Sequence, residues 1–146
     1  MFTTRCFIRK DTKELREYLK NIGYKICCCC DFEESCWLST YGDIVHGVGF
    51  ISPEESVDTQ SKSLSLFLDG NKDVDCGTND ELFKSITALR DDSLFMQWFI
   101  YDKSTYLNDK NKWVMCYHSG NKRMYELLDK KIIHKATVEE LIEHFK

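Results

Sequence analysis

The chain contains a single proline, Pro53, and only seven glycines in 146 residues. That scarcity leaves no material for a Pro/Gly-rich linker or a low-complexity arm. Long apolar runs are missing too: nothing approaches the roughly 18 residues of a membrane-spanning helix. The opening stretch MFTTRCFIRKDTKEL has no apolar segment of signal-peptide length. We therefore expect a cytoplasmic protein without membrane contact. A basic excess is also missing, with 20 Lys and Arg against 24 Asp and Glu, a net charge of −4. Lys110 with Lys112, Lys122 with Arg123, and Lys130 with Lys131 each sit in a short turn-like stretch. None forms the basic, aromatic-interleaved face of a nucleic-acid binder, so no nucleic-acid partner is expected. The acidic surplus is small and interspersed with base, which argues equally against a DNA mimic.

Catalytic signatures are missing as well. The four histidines, His46, His118, His134 and His144, form no H-E-x-x-H pair. No G-x-S-x-G supports a triad built on His46 with Asp43 or on His118 with Ser119. Asp91 and Asp92 are adjacent, and neighbouring carboxylates seldom converge on one atom, so a solvated loop is the simpler account. The stretch DCGTNDELF around Cys76 has one glycine, no lysine and flanking acids. It reads as a turn plus helix cap rather than a phosphate-binding loop.

Cysteine, by contrast, is plentiful. Five of eight fall in YKICCCCDFEESC, with Cys27 to Cys30 in an unbroken run. In the cytoplasmic protein expected here these thiols should stay reduced. Cys27 and Cys30 have the separation of one zinc-ligand pair, but Cys36, Cys76 and Cys116 are isolated, so no second pair completes a tetrahedral site. Strand alternation would place Cys27 and Cys30 on opposite faces. A set of Cys28, Cys30, Cys36 and His46 is imaginable. The stronger account is a strand whose thiols pack as small hydrophobes. Cys76, just before a helix start, is the best-placed thiol for reactivity, but Asp75 and Asp80 oppose a thiolate there. We expect no catalytic, metal or cofactor site.

Hydrophobic residues make up 42% and aromatics 13% of the chain, which predicts a folded globule and one domain over 1–146. Three segments have helical periodicity. In DTKELREYLKNIG, Leu15, Tyr18, Leu19 and Ile22 share a face, with Asp11 and Glu14 as a capping box and Gly23 as the stop. In TNDELFKSITALRDD, Leu82, Phe83, Ile86 and Leu89 form the stripe behind Thr78 and Glu81. In TVEELIEHFK, Val138, Leu141, Ile142 and Phe145 follow Thr137 and Glu140. Strand-like runs lie between: FTTRCFIR, YKICCCC, CWLSTY, IVHGVGFI, SLSLFL, FMQWFIY, KWVMCYH, RMYELL and KKIIHK. Gly42-Asp43 and Ser119 to Lys122 read as hairpin turns. FMQWFIY, apolar on both faces apart from Gln97, is expected to be central in its sheet. The fold class is α+β, a mostly antiparallel sheet with about three helices packed on it. Trp37, Tyr41, Trp98, Tyr101, Trp113 and Tyr117 all lie in strand-like runs, and rings on an uncovered sheet face would suit a protein partner.

The segments CGTNDELFKSITALRDDSLFMQWF and HKATVEELIEHF resemble small uncharacterised proteins of gut Bacteroidales and of their phages and mobile elements. The resemblance covers about half of the chain and excludes residues 24–62. Its residues, Cys76, Gly77, Asn79, Leu89, Arg90, Asp91, Gln97, Trp98 and Phe99, are architectural, and it carries over no catalytic residue. It implies a small accessory protein of a bacterium or phage. The resulting expectation is a non-enzymatic interaction protein, binding a protein partner or itself. The alternatives are a small enzyme or ligand-binding domain with a site of scattered polar residues, and, third, a zinc-bound structural module.

Overall fold

The computed structural model describes residues 5–10, 12–26, 37–40, 47–50, 73–91, 93–102 and 112–146. These form an α+β fold in two compact units, Met1–Thr87 and Ala88–Lys146. Four of the six described strand pairings are antiparallel.

The first unit begins with strand β1 (Arg5–Ile8), helix α1 (Lys13–Asn21) and strand β2 (Tyr24–Ile26). It continues through β3 (Trp37–Thr40), β4 (Gly47–Phe50) and β5 (Asp73–Asp75) to helix α2 (Asp80–Thr87). The strand order is β2-β3-β4-β1-β5. Pairings β2–β3 and β3–β4 are antiparallel, but β1 lies parallel to both β4 and β5. The mostly antiparallel pairing agrees with the expected sheet, and tight turns account for the antiparallel neighbours alone. The parallel pairs arise because β1 is joined to its sheet partners through a helix and intervening strands, connections long enough to reverse direction twice. The β3–β4 pairing matches the expected hairpin, whose Gly42-Asp43 turn lies outside the described residues. So do Cys27 to Cys30 and the run SLSLFL.

Helix α1 turns Leu15 and Leu19 inward, as its periodicity predicts, and Gly23 ends it at φ 103°. Its N-cap is Thr12, whose Oγ1 accepts from the Leu15 amide at 3.3 Å. The expected cap, Asp11, lies outside the described residues. Helix α2 begins one residue later than its motif suggests. Asn79 Oδ1, rather than Thr78, accepts from the Leu82 amide at 3.1 Å, which suits asparagine's strong capping preference. The two helices touch, α2 packing on β1 and α1 on β2. Tyr18 Oη donates to the Lys84 carbonyl (3.2 Å) and Tyr24 Oη to the Thr87 carbonyl (2.9 Å). Ile8, Leu15, Leu19, Tyr24, Phe83 and Ile86 are all buried between these elements.

The second unit holds β6 (Gln97–Tyr101), β7 (Trp113–Cys116), helix α3 (Lys122–Asp129), β8 (Ile133–Lys135) and helix α4 (Val138–His144). Its three strands are antiparallel in the order β7-β6-β8, which puts β6 in the centre as predicted. The expected strand RMYELL is helix α3 instead. Asn121 caps it, accepting from the Met124 amide at 3.3 Å. Met124, Leu127 and Leu128, spaced i, i+3, i+4, face the core. Its end is a Schellman turn: the Ile132 amide reaches the Leu127 carbonyl (2.9 Å) and the Lys131 amide the Leu128 carbonyl (3.0 Å). Lys131 occupies the left-handed position of that turn, φ 55°, where glycine is usual. Helix α4 has the predicted capping box: the Glu140 amide donates to Thr137 Oγ1 (3.2 Å) and the Thr137 amide to Glu140 Oε2 (2.9 Å).

Pleating divides the residues of this three-stranded sheet between two faces. Gln97, Phe99 and Tyr101 share one face with their cross-strand partners Cys116, Val114 and Ile133. Phe99, Cys116 and Ile133 join Leu94 and Met124 in the buried cluster under α3. Trp98, Ile100, Trp113 and Met115 lie on the opposite face, which carries α4 at one end.

Candidate functional site

The described thiols are inert. Cys6, Cys76 and Cys116 are all buried. Burial pushes the Cys76 thiol up to about 12, and neighbouring Asp75 adds to the effect. Burial also raises Cys6 well above the usual thiol range, with a smaller contribution from Cys76. Cys116 Sγ donates to the His118 carbonyl at 3.0 Å. These cysteines therefore act as small hydrophobes with weak donors.

The Cys76 segment is the turn and cap that its composition suggests. Gly77 takes φ 57°, its amide donates to Asp75 Oδ1 (2.8 Å), and the Asn79 amide returns to the Cys76 carbonyl (2.9 Å). Asp75 and Asp80 are engaged by Arg9 at 2.6 Å and Lys10 at 3.2 Å. The acids of this helix start thus have cationic partners of their own chain.

Gln97, the one polar residue of its strand, is fully buried. Its Nε2 donates to the Arg90 and Ser93 carbonyls, and the Lys135 ammonium donates to the Arg90 carbonyl as well. These contacts of Arg90, Ser93 and Gln97 fix the approach to the central strand.

Of the sequence candidates, His46, Asp43, Cys36 and Asp92 lie outside the described residues. Asp91, His118 and Ser119 are exposed, and the Ser119 carbonyl accepts from Tyr125 Oη at 3.3 Å. The structure brings together two groupings that sequence spacing does not announce, both in the second unit.

The first is a charged clamp on His134. Its Nδ1 lies 2.6 Å from Asp102 Oδ1, and its Nε2 lies 3.0 and 3.1 Å from the two Glu140 oxygens. Partial burial disfavours the imidazolium, but the hydrogen bonds to Glu140 and Asp102 and the charges of both carboxylates outweigh it, so the His134 pKa is raised. Burial likewise works to raise the Glu140 carboxyl. The Thr137 amide and His134 overcome it and hold that pKa low. With both ring nitrogens donating, the imidazolium has no lone pair left to act as a base. The carboxylates approach from opposite sides of the ring and cannot converge on one ion. Among the described residues no cluster of His, Cys, Asp and Glu is placed to hold a metal. Asp102 and Glu140 stand 32 and 6 positions from His134, separations that carry no local sequence signal.

The second is a cluster of rings. Trp98 and Trp113 meet edge to face with centroids 6.2 Å apart. His144 stacks on Trp113 at 3.9 Å and 17°. Phe145, at the end of α4, lies 5.8 Å from Trp98 and 4.8 Å from His144. Both tryptophans and Phe145 are half-buried and His144 is exposed. Tyr101, also singled out from the sequence, belongs to the opposite face and packs against the core under α3. Tyr117, beyond the end of β7, is 63% exposed. The side chain of Trp37 and all of Tyr41 lie outside the described residues.

Comparison with protein-family models, with curated proteins and with solved structures finds no match. Among the described residues no helix is long and apolar enough to cross a membrane.

Proposed function

We propose that the protein is a non-enzymatic protein-interaction module of the cytoplasm and that the ring face of its second unit is the contact surface. The observation that carries this reading is the half-buried Trp98–Trp113–Phe145 cluster with His144 stacked on its outer edge. Tryptophan supplies large contact area with few torsions to immobilise, which is why it recurs at the energetic centres of protein interfaces. Among the described residues, the Cys6, Cys76 and Cys116 thiols are buried, His134 has both nitrogens bonded, and Asp75 and Asp80 are paired to bases. A bacterial or phage accessory role, implied by the resemblance of the sequence, accords with this reading.

Affinity capture from native cell extract, with sedimentation of the purified protein across concentrations, tests the proposal. A stoichiometric protein partner or reversible self-association, lost in Trp113→Ala, is the expected result. A monomer at every concentration with identical capture by wild type and Trp113→Ala would overturn it. So would turnover of a small substrate that does not depend on the ring face.

A further inference from the structure

The clamp on His134 ties together three elements of the second unit. His134 belongs to β8, Asp102 follows the last residue of β6, and Glu140 is in the first turn of α4. Glu140 closes the α4 capping box and holds the histidine with the same carboxylate. At the other end of α4, His144 and Phe145 rest on Trp113 and Trp98. A helix of seven residues has too few internal hydrogen bonds to persist alone and depends on its tertiary contacts. These include the buried Leu141, the ring contacts and the His134–Glu140 pair.

We infer that His134 is a protonation-dependent latch that holds α4 down over the tryptophan face and releases it when the imidazolium loses its proton. An imidazolium donates from both nitrogens, whereas a neutral imidazole has one N–H. Once the proton leaves, one nitrogen presents a lone pair to a carboxylate oxygen at hydrogen-bond distance, an arrangement that repels. The 2.6 Å Asp102 contact is the shorter of the two, and β6 and β8 are joined by sheet hydrogen bonds. The Glu140 contact on the short helix is the one that gives way. Ile100 faces His134 across the β6–β8 pairing and is apolar. Among the described residues, the charged groups acting on the histidine are Asp102 from the end of β6 and Glu140 from α4. Opening would bare Trp98 and Trp113, so the device is a control on the same face as the proposed function. It rests on that reading only for what the bared face would meet.

Hydrogen exchange of the α4 amides across pH, expressed as protection relative to the free-peptide rate, tests the latch without any partner. In the wild type, protection of Leu141 to Phe145 should fall about two- to fivefold as pH rises through the His134 transition, the range expected for a partly exposed ion pair. His134→Gln should show the lower protection at every pH. His134→Arg, charged throughout, should show no step. Acrylamide quenching in a Trp37→Phe background should rise in parallel with the loss of protection, and a His144→Gln variant should retain the step. Flat wild-type protection would overturn the inference, as would a step that persists in His134→Gln or vanishes in His144→Gln. Because no partner enters the measurement, a latch that works alongside a failed capture experiment would count against the proposed function alone.

Discussion

Helices α1 and α3 are both followed by a residue of positive φ, but by different residues, and that contrast separates the two units. In the first unit the left-handed position after α1 is Gly23, at φ 103°. In the second the equivalent position after α3 is Lys131, at φ 55°. The glycine announces its helix in the sequence, and the lysine conceals one. RMYELL, with no glycine stop and Asn121 hidden in the turn-like SGNK, reads as a strand although Met124, Leu127 and Leu128 have helical spacing. The same division runs through the side chains. The first unit's described thiols are sealed and its turn acids are paired, whereas the second unit has a ring cluster and a charged clamp at half exposure.

Five substitutions sharpen the contrast. The largest effects belong to the two cores. Phe83→Ala in the first unit and Phe99→Ala in the second each empty a fully buried site and should each cost about 3–5 kcal/mol in denaturant titration. A much smaller cost at Phe99 would mean that the second unit has no comparable core. Next, Thr137→Ala removes the hydroxyl of the α4 capping box and should cost about 1 kcal/mol, with the loss of amide protection concentrated in α4.

His134→Gln comes third. The side chains of His134, Asp102 and Glu140 are 38%, 36% and 37% exposed, so solvent screening limits the clamp to about 0.5–1 kcal/mol. The sign follows from the raised pKa: the folded state binds the proton more tightly than the unfolded chain, whose histidine titrates near 6.5. The contribution is therefore complete below that value and lost as pH rises through the folded pKa. Wild type should exceed the variant at low pH, and the two stability curves should converge at high pH. Smallest, Lys131→Gly relieves a left-handed lysine at a Schellman turn and should stabilise by about 0.5–1 kcal/mol. No gain would show that the lysine makes compensating contacts there.

Much of this architecture is legible in the sequence. The inward stripes of α1 and α2, the Thr137–Glu140 box, the central place of β6 and the turn-plus-cap at Cys76 all follow from local periodicity and capping chemistry. What local pattern misses is set by distant partners. The parallel β4-β1-β5 pairing depends on connections longer than a turn. Asn79 and Thr12 displace neighbouring residues as caps because backbone geometry, not composition, chooses among adjacent polar residues. Trp98 and Trp113 are evident as strand aromatics, but their meeting with His144 and Phe145 depends on where α4 lands. The His134 clamp draws on three separate elements and leaves no spacing to read.

The most direct test of the central claim, that the second unit's ring face is the working surface, is paired capture with two variants of the full chain. Trp113→Ala alters the rings, and Arg9→Ala removes the 2.6 Å Arg9–Asp75 pair of the first unit. The account predicts that the interaction is lost in Trp113→Ala and kept in Arg9→Ala, with both variants folded by circular dichroism. Full binding by a folded Trp113→Ala, or loss confined to Arg9→Ala, would contradict it.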